Sequence, residues 1–311
     1  MIIFFLISIF LMSLTWPHIL TGNFEVFLDG ILQSISWSSG PQLGIIGGNF
    51  YETSNTPRIY LLHFFIFRLP IYLIMLLVTT IVILKINNQF FVQQIKNYKT
   101  SLNIVLFTIF FPIIIALFFK VKIYDGIRLF LFLIPLLSLF AAMGLYYLFK
   151  NIYKSIYLKI TFVIIFIFFI LALSRFIYLT PYQYTYSNFF NPKFSYTQNL
   201  YEHDYWATSF KELISKVKQS ENLSNKKFSV SICGGDFWQI VSEFSKDKTF
   251  SKNITFYDYS MADKADYIIM TNRSSFITKN KTTCYSIFSG KDITSVNRLG
   301  VDLSVFRELT K

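Results

Sequence analysis

The stretch Lys120–Lys150, KVKIYDGIRLFLFLIPLLSLFAAMGLYYLFK, decides how this chain is read. From Leu129 to Phe149 it carries no charge. At about 1.5 Å of rise per residue, such a helix spans the ~30 Å hydrocarbon layer of a bilayer. One acid and one guanidinium, Asp125 and Arg128, stand at its mouth. Read as helix, residues at i and i+3 share a face, and an acid in the first turn is favoured by the helix dipole. Two roles fit the pair. It is either a cap with an interfacial anchor, or a polar site at the membrane edge where Arg128 forks onto a phosphate or carboxylate.

Working outward, the rest of the first 179 residues has the same character. The chain has 311 residues, 53% hydrophobic and 20% aromatic, with a mean hydropathy of +0.47. That is too apolar for an ordinary soluble domain. Span candidates are Ile2–Thr15 (short, extending toward Leu20), Ile59–Leu84, Leu102–Phe119, Arg128–Phe149 and Tyr157–Tyr178. The first lacks a basic leader and a small-x-small cleavage site, so it reads as a retained span rather than a signal peptide. Beyond Tyr178 no run is long enough to span, and residues 180–311 carry 17 Lys and Arg against 13 Asp and Glu. The expected architecture is an α-helical multi-pass membrane protein of about five transmembrane helices. Residues 1–179, with an exterior loop over 20–58, form its membrane part, and residues 180–311 form a small α/β exterior domain.

The net charge of +12 invites a nucleic-acid partner, but its distribution argues for a membrane. The first 179 residues hold 12 basic side chains and four acids: Glu25, Asp29, Glu52 and Asp125. The loops KINNQFFVQQIKNYK and KNIYKSIYLK contain Lys85, Lys96, Lys99, Lys150, Lys154 and Lys159 and no acid. Basic loops mark the cytoplasmic side, and two spans separate these loops, which puts them on one side. All four acids and everything after residue 179 then lie outside, with the N-terminus inside, in a cell or inner membrane. No span carries an acid for ion coupling, which speaks against a transporter.

Several stretches carry local signals. NFEVFLDGILQSISWSS places Phe24, Phe27, Leu28, Ile31, Leu32 and Ile35 at amphipathic-helix spacing. GIIGGNFYETSNTPRIY reads as a Gly- and Pro-punctuated loop. Pro70 predicts a break inside the second apolar run. His63 and Arg68, near that break, are either functional polar groups or, for Arg68, a side chain snorkelling to the interface. In the tail, YWATSFKELISKVKQ puts Trp206, Phe210, Leu213, Ile214 and Val217 on one helical face. KFSVSICG reads as strand, DFWQIVSEF as helix, and KNITFYDY and ADYIIMTN as strands. Cys233 and Cys284 both fall in the exterior part, where they are either a disulfide or two buried thiols. No metal-ligand or nucleotide-loop pattern occurs.

Five segments in order resemble the C-terminal half of GT-C membrane glycosyltransferases, closest to the protein O-mannosyltransferase-like group. They are TWPHIL (Thr15–Leu20), GNFYETSNTPRIYLLHFFIFRLPIYL, YDGIRLFLFLIPLLSLFAAMGL, LTPYQYTYSNFF (Leu179–Phe190) and YEHDYWATSFKEL (Tyr201–Leu213). Leu129 stands where that group often has His, Pro57–Arg58 replaces Pro followed by an aromatic, and the WP segment lacks a second Trp. The resemblance implies transfer of a hexose from a polyprenyl-phosphate-linked donor, an exterior Asp or Glu acting as base on the acceptor hydroxyl, and a cationic phosphate clamp. Carried onto this chain, the donor phosphate meets Arg128, with Asp125, Tyr124 and Arg58 beside it. Tyr182, Tyr184 and Tyr186 form the site floor, unless they are an aromatic belt. The family's catalytic acid lies in a first exterior loop that no segment here matches. The expectation is therefore a C-terminal half or subunit whose partners are the bilayer, the lipid-linked donor and a separate N-terminal half chain. Glu25, Asp29 and Glu52 are the acids to test first. A non-catalytic membrane protein of the same fold, binding a partner or glycan, is the alternative.

Overall fold

A computed structural model describes residues 43–119, 122–188, 200–220, 226–273 and 282–310, together with Ile7, Phe10, Leu11, Glu25 and Asp29. The chain divides into two compact units, Met1–Gly40 and Pro41–Lys311. In the first, the five described residues are helical and exposed. Most of the Ile2–Thr15 span and of the Phe24–Ile35 surface helix lies outside the described residues.

The second unit opens with a β-hairpin, β1 (Leu43–Ile46) and β2 (Asn49–Glu52), where a loop was expected. Gly47 and Gly48 both have positive φ, +56° and +82°, the two-residue turn that matches strand twist. Helix α1 (Tyr60–Arg68) follows and ends at Leu69–Pro70. Pro70 has no N–H to continue the ladder and forces Leu69 into extended backbone. The expected Ile59–Leu84 span is thus divided, and the long helix α2 runs Ile71–Gln94. It passes through the basic segment expected to be a loop, with one non-helical residue, Asn87, leaving only 95–97 as the connection. Helix α3 (Tyr98–Phe118), α4 (Leu133–Asn151) and α5 (Ile156–Leu179) complete the helical part. Among the described residues four helices are long and apolar enough to cross a membrane: α2, α3, α4 with its 3-10 extension to Lys154, and α5. They leave large apolar side chains exposed, including Phe107, Phe110 and Phe111 on α3 and Val163, Phe166 and Ile167 on α5.

Tyr146 Oη donates to Gln94 Oε1 at 3.2 Å, and Asn87 Nδ2 to Tyr147 Oη at 3.3 Å. The α2–α3 and α4–α5 connections therefore sit at one end of the helices. The loop 122–127 and the segment after α5 meet α1 and the hairpin at the other.

The C-terminal part is a five-stranded sheet with spatial order β4 (Ile254–Tyr257), β3 (Phe228–Cys233), β5 (Tyr267–Thr271), β7 (Val301–Leu309), β6 (Gly290–Arg298). Helix α6 (Phe210–Lys218) leads into β3 (Phe228–Cys233). Then come α7 (Phe237–Ser245), the single turn α8 (Lys248–Ser251), β4 (Ile254–Tyr257) and β5 (Tyr267–Thr271). The single turn α9 (Cys284–Ile287), β6 (Gly290–Arg298) and β7 (Val301–Leu309) close the chain. β3 pairs in parallel with β4 and β5, while β7 runs antiparallel to β5 and β6. β6 and β7, not anticipated from the sequence, complete the α/β domain. α6 buries Phe210, Leu213, Ile214 and Val217 as its spacing predicts, but it begins at Phe210 and Trp206 stays out, 55% exposed. Leu179, Tyr182 and Tyr186 belong to the same core as Phe228, Val230 and Phe306, so the boundary expected at 179/180 falls inside a continuously packed unit. Cys233 and Cys284 form a disulfide with Cα atoms 5.9 Å apart, which settles the open choice at those positions.

Candidate functional site

The loop between α3 and α4 is pinned from several sides. Tyr51 Oη donates to the Ile123 carbonyl at 3.3 Å, and Thr56 Oγ1 accepts from Ile123 N–H at 3.2 Å. Tyr60 Oη accepts from Gly126 N–H at 2.8 Å. These anchors come from the hairpin, the turn after it and α1, all upstream of the loop. Asp125 and Gly126 are consecutive left-handed residues, φ +55° and +71°. A non-glycine residue adopts that conformation at a cost. Here it aims the Asp125 carboxylate inward and starts a 3-10 turn, Arg128–Phe130, ahead of α4.

Asp125 and Arg128 consequently do not share a helix face, and Asp125 is not in the first turn of the long helix. They still bond, Arg128 Nη1 donating to Asp125 Oδ2 at 2.8 Å. The second partner of the carboxylate comes from the sheet: Arg273 Nη2 lies 3.3 Å from Asp125 Oδ1. The Asp125 side chain is 3% exposed, Arg273 12% and Arg128 28%. Burial pushes the Asp125 carboxyl above its usual range, and the guanidiniums of Arg273 and Arg128 pull it back. A guanidinium on each oxygen favours the ionised carboxylate.

Arg128 is also held by aromatic faces. Its guanidinium carbon lies 4.7 Å from the Trp206 ring centroid and 5.3 Å from that of Tyr124, close enough for cation–π attraction. Trp206 and Tyr205 belong to the turn that precedes α6. That turn is organised by buried Asp204, whose carboxylate accepts from the N–H groups of Thr208 (3.0 Å) and Ser209 (2.9 Å) and from the Ser209 and Tyr184 hydroxyls. The Tyr205 carbonyl accepts from Arg273 Nη1. The result is a guanidinium, Arg128, fixed on one edge by a carboxylate, flanked by two rings and partly open to the outside.

Of the residues singled out by sequence, Tyr124, Asp125 and Arg128 are brought together. Arg58 is exposed on the turn before α1 and makes no ion pair among the described residues. Glu52 is exposed at the end of β2, and Glu25 and Asp29 lie in the other compact unit. Tyr182 and Tyr184 line a cavity of about 720 Å³ with Thr208, Lys211 and Glu212, a lining that does not include Arg128. Tyr182 and Tyr186 are 3% and 4% exposed. Tyr182 Oη donates to Glu212 at 2.9 Å, and Tyr186 stacks on Phe176 at 4.7 Å, its hydroxyl pushed up to about 12 by burial. They are core of the junction between α5 and the sheet. Tyr184 reaches the cluster indirectly, packing edge-on to Tyr205. Arg68 is a structural clamp, donating to the carbonyls of Thr185 and Tyr186 at 2.7 Å each. His63 Nε2 lies 2.6 Å from Tyr201 Oη.

Arg273 and Trp206 escaped the sequence reading as site residues. Trp206 carried a signal, since YEHDYW stands out as a motif, but its periodicity assigned it to a helix face. Arg273 carried none, being 148 residues from Asp125. No family model, no curated protein and no solved structure matches this chain.

Proposed function

We propose that this chain is a membrane protein that binds a lipid-linked phosphate at its exterior face, in the manner of a GT-C glycosyltransferase acting on a polyprenyl-phosphate-linked sugar. The observation that carries the reading is the partly exposed Arg128 guanidinium. It is set between Tyr124 and Trp206 and steadied by Asp125 at the end of helices long and apolar enough to span. An interfacial arginine of this kind presents a planar fork to a phosphate while the attached hydrocarbon remains among the exposed Phe, Ile and Val side chains. In this reading five spans cross a cell or inner membrane, with the N-terminus inside and the sheet domain outside. The ordered segment resemblances supply the sugar-transfer part. A base on the acceptor hydroxyl would come from an exterior acid, with Glu25, Asp29 and Glu52 the candidates.

The test is binding of farnesyl phosphate to the full chain in detergent micelles. Arg128→Ala should weaken it by about 1.5–3 kcal/mol, the range for a hydrogen bond to a charged group. Arg128→Lys, which keeps the charge but not the fork, should fall between. Unchanged binding in Arg128→Ala would remove the proposal.

A further inference from the structure

Resting on the phosphate site just proposed, we infer that Arg273 is its positioning residue. It takes up the Asp125 carboxylate so that Arg128 keeps its positive charge for a phosphate monoester or diester anion.

Taken alone, Asp125 and Arg128 are a neutral pair. An anion approaching Arg128 would meet the Asp125 charge at nearly the same distance, in surroundings where burial weakens solvent screening. Arg273 changes that balance. It bonds the other carboxylate oxygen, leaving the three-residue group with one net positive charge. The exposures show where that charge is offered. Arg273 is 12% exposed and Arg128 28%, so an anion reaches Arg128, and Arg273 acts through Asp125. Among the described residues Arg128 uses one N–H, on Asp125, and the rest of its fork faces no acceptor there and is offered to a ligand.

Arg273 is mounted for this task. Its Nη1 donates to the Tyr205 carbonyl while its Nη2 meets Asp125, a two-point geometry that suits the planar guanidinium fork. Its own carbonyl accepts from Cys284 N–H at 3.1 Å. Gly234, left-handed at φ +83°, lies close beneath it: a Cβ there would stand 3.3 Å from Arg273 Cβ. The Cys233–Cys284 disulfide ties the end of β3 to the residue that holds the Arg273 carbonyl. The sheet thus reaches across to the loop before α4 with a braced cation.

The experiment compares farnesyl phosphate and inorganic phosphate as probes on the full chain in micelles. Arg273→Gln leaves Asp125 to neutralise Arg128 and should weaken farnesyl phosphate binding by about tenfold or more. Arg273→Lys should stay within a few fold. The decisive variant is the double Asp125→Asn/Arg273→Gln, in which Arg128 regains an uncompensated charge. The amide oxygen placed at position 125 still accepts from Arg128 without neutralising it, so binding should recover several-fold over Arg273→Gln, a rescue that a merely structural ion pair would not produce. Farnesyl phosphate binding well above inorganic phosphate assigns the site to a lipid headgroup, and equal binding assigns it to free phosphate. Unchanged binding in Arg273→Gln, or no recovery in the double variant, overturns the inference. If Arg273→Gln fails to fold, the double variant is compared with Asp125→Asn: binding within a few fold of each other supports a role of Arg273 through the Asp125 charge, and a drop of tenfold or more in the double variant overturns it. Arg128→Ala separates the two claims. If it weakens binding and Arg273→Gln does not, only the role of Arg273 fails; if neither does, the phosphate site itself fails.

Discussion

Thr80 shows how a single hydroxyl couples two of the long helices. Its Oγ1 accepts from Gly144 N–H at 3.1 Å and reaches the carbonyls of Leu76 at 2.8 Å and Phe140 at 3.2 Å. In a regular helix the Gly144 N–H would bond the Phe140 carbonyl, so the hydroxyl of α2 stands inside the ladder of α4. Only glycine permits that approach, because a Cβ on Gly144 would lie 2.4 Å from Thr80 Oγ1 and 3.1 Å from its backbone nitrogen. Small residues and buried hydroxyls recur where helices pack in lipid, since neither element gains from excluding water there. Gly144→Ala should force α2 and α4 apart and destabilise the protein by about 1–3 kcal/mol, read as a lower midpoint of thermal unfolding in micelles. An unaltered midpoint would mean the close approach is not needed. Neither residue stands out in the sequence, where Gly144 is one small side chain in an oily run.

Among the elements, α1 depends most on distant chain. Its ladder stops at Pro70, leaving carbonyls without helical partners. Asn188 takes them up: its Nδ2 donates to Ile66 O at 2.5 Å and Leu69 O at 2.8 Å, and its backbone N–H to Phe67 O at 2.9 Å. A side-chain amide 119 residues downstream thus caps the helix and, with Arg68, fastens the segment after α5 to it. Asn188→Ala should cost about 1–3 kcal/mol, the penalty for buried carbonyls left without donors. Asn188→Asp, isosteric but unable to donate when ionised, should do as badly in the same thermal measurement. Wild-type stability in Asn188→Asp would show the cap to be dispensable. The break at Pro70 is legible from the residue type alone, because the missing N–H is a local property. The partner of the broken end is not, because a hydrogen-bond acceptor can be met by any donor that the fold brings close. The hairpin was legible in principle. Two glycines flanked by LGII and NFYE satisfy a two-residue turn, but glycine-rich composition also reads as loop, and pairing with Tyr201 is what completes its surroundings.

For the whole molecule, the proposed orientation rests on charge and geometry together. The connections at 95–97 and 152–155, next to Lys96 and Lys154, sit at one end of the helices, and the Asp125 cluster with the sheet domain at the other. Reporter fusions at Lys96 and at the C-terminus should therefore report opposite sides of a membrane; the same side for both would refute the orientation. Chain chemistry by itself determined the long apolar helices, the break at Pro70, the buried face of α6 and the strands β3, β4 and β5. Each rests on a local rule: length against bilayer thickness, a missing N–H, or a periodicity of 3.6 or 2. It also picked out Tyr124, Asp125 and Arg128, because charge next to an oily run is visible along the chain. Tertiary structure alone decided that Asp125 turns left-handed instead of starting a helix, since the anchors Tyr51, Thr56 and Tyr60 lie at least 65 residues away. It alone joined Cys233 to Cys284 and drew Arg273 to Asp125. Those contacts belong to no local period, and only the packing of the sheet against the helix ends brings such distant groups within bonding distance.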